Sequence, residues 1–398
     1  MSPQPLEAVW RIESARIVAA LARWTGDFAL AEDVAQEALA EALVSWERDG
    51  TPANPAGWLL ATARRRAIDA FRRRETLERK YALLAREPEI TDEYADYGDD
   101  VLALMFIACH PVLAPEAKVA LTLRTVGGLT SEEIARAFLV PVPTVQARIT
   151  RAKKTIAAAG VRFELPPEEQ RKERLGAVLS VLYVIFTEGS TATTGDRLVR
   201  TDLAAEAIRL TRVLAALVPD EPEVSGLLAL CELTAARFPA RTGPDGEAVL
   251  LEDQDRRLWD RAAIRRGLAA LARPTTGPYG LQAAIAACHA RAASVAETDW
   301  ERIVLLYEAL GRVAPSPIVE LNRAVAVAMA HGPAAALLLV DKLGEKLAGS
   351  HLVPTVRGEL LTRLGRPAEA RAELETAAAL CRNERERAVL LRKAAALH

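Results

Sequence analysis

The stretch LTSEEIARAFLVPVPTVQARITRAKK, residues 129–154, holds two short helical patterns with a proline-marked turn between them. Thr130 stands three residues before Glu133, the spacing of a capping box at a helix start. Ile134, Ala135 and Phe138 supply the inner face of that first helix, and a turn follows around Leu139–Val142. The second helix begins near Pro143, where proline suits a first turn. It presents Gln146, Arg148, Arg151, Lys153 and Lys154 with no acidic residue. This is the logic of a helix-turn-helix: one helix braces while the second enters the major groove and its cations neutralise phosphates. Gln can pair with adenine and Arg with guanine. An ordinary helical hairpin with a solvated basic face shares part of the pattern. The coincidence of capping box, turn and acid-free basic helix favours DNA.

Upstream, NPAGWLLATARRRAIDAFRRR (54–74) crowds Arg64, Arg65, Arg66, Arg72, Arg73 and Arg74 onto one helix, with Trp58 and Phe71 near its ends. Arginines grip phosphate and aromatics stack on unpaired bases, which suits single-stranded or melting DNA. Trp58 and Phe71 serve equally well as core residues, and spacing alone leaves that open. The preceding helix has the opposite character. Asp33, Glu37 and Glu41 stand at i, i+4 and i+8, an acidic ridge opposite Val34, Ala38 and Ala42. Beside a DNA-binding helix such a ridge repels phosphate, so it fits a basic protein surface better.

These local extremes cancel across the chain. It has 398 residues, 51 Lys+Arg against 53 Asp+Glu and a formal charge of −2. Residues 51–80 carry eight basic and three acidic side chains, whereas residues 87–100 carry seven acidic and no basic ones. Segments alternating so strongly serve separate partners. The length predicts two to four domains. An apolar half and only 5% aromatics, with Ala and Leu dominant, predict a helical protein with a sizeable core. The apolar run Leu175–Phe186 is shorter than the ~20 residues of a membrane span. The start MSPQPLEAVWRIE shows no export pattern, so a cytoplasmic protein without membrane contact is expected.

Cys109, Cys231, Cys288 and Cys381 form no CxxC pair, and Cys109-His110 and Cys288-His289 lack further ligand spacing. No metal, cofactor or catalytic group is expected. The charged run Glu252, Asp253, Asp255, Arg256, Arg257 and Asp260 around Trp259 reads best as ion pairs and caps at helix ends, with a partner or ligand surface as the alternative. Near the C-terminus His331-Gly332-Pro333-Ala334 answers Gly365-Arg366-Pro367-Ala368 at an offset of 34. Each follows an apolar helix and opens another, the period of tetratricopeptide-type helix pairs. No segment alternates with period two, so the expected class is all-α.

In this order, AEDVAQEALAEAL, NPAGWLLATARRRAIDAFRRR and LTSEEIARAF with PTVQARITRAKK resemble regions 2 and 4 of extracytoplasmic-function RNA polymerase sigma factors. The remainder, with LYVIFTEGS, LLEDQDRRLWDR and GPYGLQAAIAACHA, resembles the extension of the subgroup with a C-terminal tetratricopeptide-like domain. The resemblance implies a region 2 bundle over 1–76, an acidic linker 77–100, a region 4 helix-turn-helix over 101–160, a linker 161–172 and an extension 173–398, with repeats near 318–398. It implies docking of Asp33, Gln36, Glu37 and Glu41 on the clamp helices of the polymerase β′ subunit, and contact of region 4 with the β flap. Trp58, Arg64, Arg65, Asp69, Arg72 and Arg73 would meet the −10 element, and the acidic linker would thread the polymerase cleft. Arg124, Thr144, Gln146, Ala147, Arg148, Thr150 and Arg151 would face the −35 element. Arg65 stands where the family usually has Asn, and Gln146 and Ala147 replace commoner polar or basic residues. A small DGPF/YCII-related protein is a further partner the resemblance implies.

The expected function is therefore that of an alternative sigma factor, not an enzyme, whose extension modulates its activity. A one-component helix-turn-helix regulator with a ligand-sensing repeat domain accounts for 129–154 and the repeats, but leaves 31–74 without a task. An enzyme fused to a DNA-binding module lacks a nucleophile or cofactor motif.

Overall fold

A computed structural model of the chain describes residues 4–73, 98–138, 140–190, 200–243, 249, 251–272, 275–344, 346–381 and 383–397. Among these, every regular element is a helix and no β-strand occurs. The chain divides into two compact units, 1–184 and 185–398.

The first unit opens with three long helices, α1 (Gln4–Thr25), α2 (Phe28–Asp49) and α3 (Pro55–Arg73). Asp27 caps α2 by accepting the Leu30 N–H at 3.0 Å, and Asn54 accepts the Gly57 N–H at 2.9 Å where α3 starts. The apolar positions at helical spacing do what the pattern predicts: Leu6, Ile17 and Leu21 of α1 and Val34, Ala38 and Ala42 of α2 are buried. The acidic linker expected over 77–100 lies outside the described residues up to 97. Its last residues open α4 (Gly98–Ala108), in which Val101–Ala108 are buried throughout.

Next come α5 (Pro115–Thr125), α6 (Ser131–Phe138) and α7 (Val142–Ala158). The capping box forms as expected. Thr130 N–H donates to Glu133 Oε2 at 2.8 Å, and Glu133 N–H donates to Thr130 Oγ1 at 3.1 Å. The turn before α6 rests on α1. Gly128 has φ +70°, and a Cβ there would lie 2.6 Å from the hydroxyl oxygen of the fully buried Ser14. The expected linker 161–172 is helical from Glu168 onward, because α8 (Glu168–Ser190) starts with charged residues ahead of its apolar run. The division between the units falls within α8.

The second unit continues with α9 (Thr201–Leu217), α10 (Pro222–Ala235), α11 (Arg261–Ala270), α12 (Pro278–Arg291) and α13 (Trp300–Val313). It ends with α14 (Pro317–Ala330), α15 (Pro333–Val340), α16 (Leu352–Arg363), α17 (Pro367–Leu380) and α18 (Glu384–Ala395). The repeat read at an offset of 34 is a structural one: α14–α15 and α16–α17 are successive helix pairs. Gly332 and Gly365, with φ of 95° and 70°, turn the chain before each pair's second helix, which begins on a proline. Shared burial joins the pairs, with Ile303, Leu310, Leu321, Val327, Val340 and Leu360 in one apolar cluster. No described helix is long and apolar enough to cross a membrane.

Candidate nucleic-acid interface

Helix α7 buries Val145, Ile149, Ala152 and Ile156, one face at spacings of four, three and four. That face fixes what the other presents. Gln146, Ala147, Thr150, Arg151 and Lys154 are exposed, and Thr144 and Arg148 are half-buried. Arg151 Nε donates to the Ala147 carbonyl at 3.2 Å, so its guanidinium lies along its own helix. Arg124, on α5, is half-buried: it donates to Glu32 Oε1 at 3.1 Å and to the Leu129 carbonyl at 3.2 Å.

The arginine helix α3 packs Leu59, Ala63 and Ala67 inward. Arg65, Asp69 and Arg72 are exposed, and Arg73 ends the described helix. Arg65 donates to Thr62 Oγ1 at 3.0 Å, while Asp69 and Arg72 lie 3.7 Å apart. Arg64 is half-buried, and its Nε is buried without a hydrogen-bond partner. Trp58, which spacing left open, is half-buried and meets the buried Trp46 edge-on at 5.6 Å between ring centroids. On α2, Asp33 and Glu37 are exposed, Gln36 is half-buried, and Glu41 holds Arg66 at 2.7 Å. That bond ties the acidic helix to the basic one.

The main feature missed in sequence is Glu32. It is 3% exposed and sits between two cations from the helix-turn-helix half of the unit. Lys153 Nζ donates to Glu32 Oε2 at 2.6 Å and to Asp33 Oδ1 at 2.5 Å, while Arg124 holds Glu32 Oε1. Burial pulls the Lys153 ammonium pKa down, but the two carboxylates outweigh it and hold it above its ordinary value. Lys153 thus faces α2 and not solvent. Arg11–Glu133 at 2.5 Å and Arg23–Asp100 at 2.6 Å join the same halves at the surface. The pattern offered one clue: Glu32 lies four residues after the buried Phe28 and three before the buried Ala35, on the inward side of α2.

Between α5, α6, α7 and the first half of α8 lies a cavity of about 300 Å³ lined largely by apolar side chains, among them Val119, Ile134, Phe138, Val145 and Val181. In the second unit the charged run around Trp259 is structural. Asp260 caps α11 through the Ala262 and Ala263 N–H groups, and those bonds lower its carboxyl pKa. Asp255 pairs with Arg257 at 2.8 Å. The buried Arg256 donates to the His289 and Ala292 carbonyls at 2.7 Å, with its guanidinium 4.9 Å from the centroid of the buried Trp259 ring. Cys109 lies 3.4 Å from Thr122 Oγ1, and burial pushes its thiol up to about 11. His289 is buried against Trp300, which brings its imidazole down to about 4.

Comparison with known proteins adds three family matches. Residues 11–76 match Sigma-70 region 2, residues 103–156 match Sigma-70 region 4, and residues 174–275 match a family of unknown function, DUF6596. A protein of Rhizobium meliloti (strain 1021) described as uncharacterized is 48% identical over 383 residues, 93% of this chain and 90% of that protein. A probable ECF RNA polymerase sigma factor, SigI, of Mycobacterium tuberculosis is 25% identical over 174 residues, 42% of this chain and 59% of that protein. No solved structure matches.

Proposed function

We infer that this chain, which belongs to the ECF-type RNA polymerase sigma factors and carries a C-terminal extension, directs core polymerase to promoters. It acts by binding and not by catalysis. The observation that carries the reading is the pairing of the two basic helices: α7 turns an acid-free face to solvent, and α3 presents arginines beside Trp58. The open face of α7, with Thr144, Gln146, Ala147, Arg148, Thr150 and Arg151, takes the −35 element, joined by Arg124 of α5 once it leaves Glu32. Trp58, Arg64, Arg65, Asp69, Arg72 and Arg73 take the −10 element and help melt it. Asp33, Gln36, Glu37 and Glu41 dock on the β′ clamp helices, and the apolar cavity beside α7 supports contact of region 4 with the β flap. The extension modulates activity, and a small DGPF/YCII-related protein is a partner of the complex.

Geometry adds a requirement to this reading. The two promoter elements lie about 25 base pairs apart, or ~85 Å at ~3.4 Å per base pair. A compact unit of 184 residues has a radius of gyration of only about 16 Å. Regions 2 and 4 must therefore part before both elements are engaged. The 24 residues between Arg73 and Gly98 can span at most ~80 Å, comparable to that distance. The pairs Lys153–Glu32 and Lys153–Asp33 then belong to the form present before polymerase binds.

The test is reconstitution. The purified chain added to core polymerase should co-elute with it and give promoter-specific run-off transcripts. Tight, sequence-specific DNA binding without polymerase, and no association with core, would favour the one-component regulator instead. Base readout has its own test. Gln146→Ala should change the preferred upstream sequence. Lys154→Ala, an exposed cation on the same helix, should weaken all sequences about equally and lower the salt slope by about one. Equal loss on every sequence for both variants would remove Gln146 from base readout.

A further inference from the structure

We propose that His351, Cys381 and Glu386 form a zinc-type metal site where three helices of the extension end. The proposal does not rest on the sigma-factor reading, since all three residues lie in the second unit, far along the chain from the promoter-binding helices. Their ligand atoms lie within 4.8 Å of one another. His351 Nε2 is 3.6 Å from Glu386 Oε2, and Cys381 Sγ is 3.7 Å from the same carboxylate oxygen. A tetrahedral zinc ion with bonds of ~2.0–2.3 Å places neighbouring ligand atoms roughly 3.3–3.7 Å apart. Two of the three separations already match, and the His351 and Cys381 ligand atoms lie within 4.8 Å of each other.

The fold brings these groups together and holds them. His351 immediately precedes α16, Cys381 follows the last residue of α17, and Glu386 lies in the first turn of α18. The Cys381 N–H donates to the Ala377 carbonyl at 2.9 Å, closing α17. Asn383 caps α18 by accepting the Arg385 and Glu386 N–H groups at 3.0 and 3.2 Å, which sets the turn between the thiol and the carboxylate. Cys381 is 4% exposed, whereas His351 and Glu386 are half-buried, so solvent reaches the cluster from their side. Three protein ligands with an accessible fourth position are the arrangement of an open zinc centre.

The donor set selects the metal class. Thiolate and imidazole suit zinc, cobalt and other borderline cations, and they disfavour calcium and magnesium, which take oxygen ligands. Metal ligation takes the thiolate form, so a divalent cation bound among the three groups would displace the Cys381 proton and give the thiolate and the carboxylate a shared partner. Among the described residues, Arg241 and Arg387 are nearby cations, toward Glu386 and Cys381 respectively. Occupancy would tie the ends of α16, α17 and α18 together and stiffen the end of the repeat stack.

Cobalt(II) titration of the full chain tests this, with zinc(II) as competitor. One equivalent of cobalt should bind, giving visible d–d bands of a tetrahedral site and a sulfur-to-cobalt charge-transfer band, and zinc should erase both. Cys381→Ser should abolish the charge-transfer band, while serine at Cys109, Cys231 or Cys288 should leave it intact. Because Cys381 is buried, His351→Ala serves as the second variant; it should keep the thiolate band but weaken binding at least ~10-fold. Zinc should also raise the melting temperature of the wild-type chain and not that of Cys381→Ser. No stoichiometric cobalt, or a charge-transfer band that survives in Cys381→Ser, would overturn the proposal.

Discussion

Reversing Asp33 and Glu37 to lysine is expected to abolish binding of the chain to core polymerase while leaving its helical content unchanged. The fold should tolerate the change because both side chains stand on the exposed side of α2, opposite the buried Val34 and Ala38. Binding should not. Losing one partner of a desolvated charge pair at an interface costs about 2–5 kcal/mol, and reversal adds like-charge repulsion. A loss of at least ~100-fold in affinity follows at about 1.4 kcal/mol per tenfold. The two positions are not equivalent, however. Asp33 also holds Lys153 in the free protein, so its reversal places a lysine against a lysine and disturbs the contact between regions 2 and 4. Glu37→Lys touches no region 4 residue among the bonds described and is the cleaner variant. Equilibrium binding to immobilised core polymerase measures both. Wild-type affinity in the double variant would place the docking surface elsewhere on the chain.

What could be read from the sequence divides along a physical line. Features set by neighbours within a few residues were legible. Thr130 and Glu133 sit three apart and cap each other, the apolar face of α7 fixes its polar one, and the helix pairs recur at an offset of 34. Features set by residues distant in the chain were not. Glu32 looks like one more acid in an acidic stretch; it is buried because Arg124 and Lys153, 92 and 121 residues away, meet it. Lys153 looked like a phosphate contact for the same reason: its partners lie on another helix. Arg124 is held by that same carboxylate in the closed form. The cluster of His351, Cys381 and Glu386 has no ligand spacing in the sequence, since a helix hairpin of 29 residues separates its first two members.

The second large effect concerns that missed contact. Lys153→Ala is expected to shift the first unit toward an open form in which region 4 leaves region 2. Glu32 is almost fully buried, so removing one of its two cations leaves a poorly compensated charge, and breaking a buried pair in this way costs about 3–5 kcal/mol. Arg124 remains and halves the loss by simple sharing, to about 2 kcal/mol, which still moves the equilibrium some 30-fold. The pairs Arg11–Glu133 and Arg23–Asp100 are already formed in the wild type, so neither supplies anything new that could restore it. Lys153→Arg should behave nearly as wild type. Spin labels at Val44→Cys and Ala157→Cys, both on exposed positions of α2 and α7, report the distance directly. The distribution should broaden and lengthen in Lys153→Ala. The same change exposes Asp33, the ridge residue that Lys153 occupies, so association with core polymerase should quicken even though no polymerase contact has been added. An unchanged distance distribution together with an unchanged association rate would mean that the other contacts between the two halves, among them those of α4 with α1, hold the closed form alone, and that the buried charges merely follow.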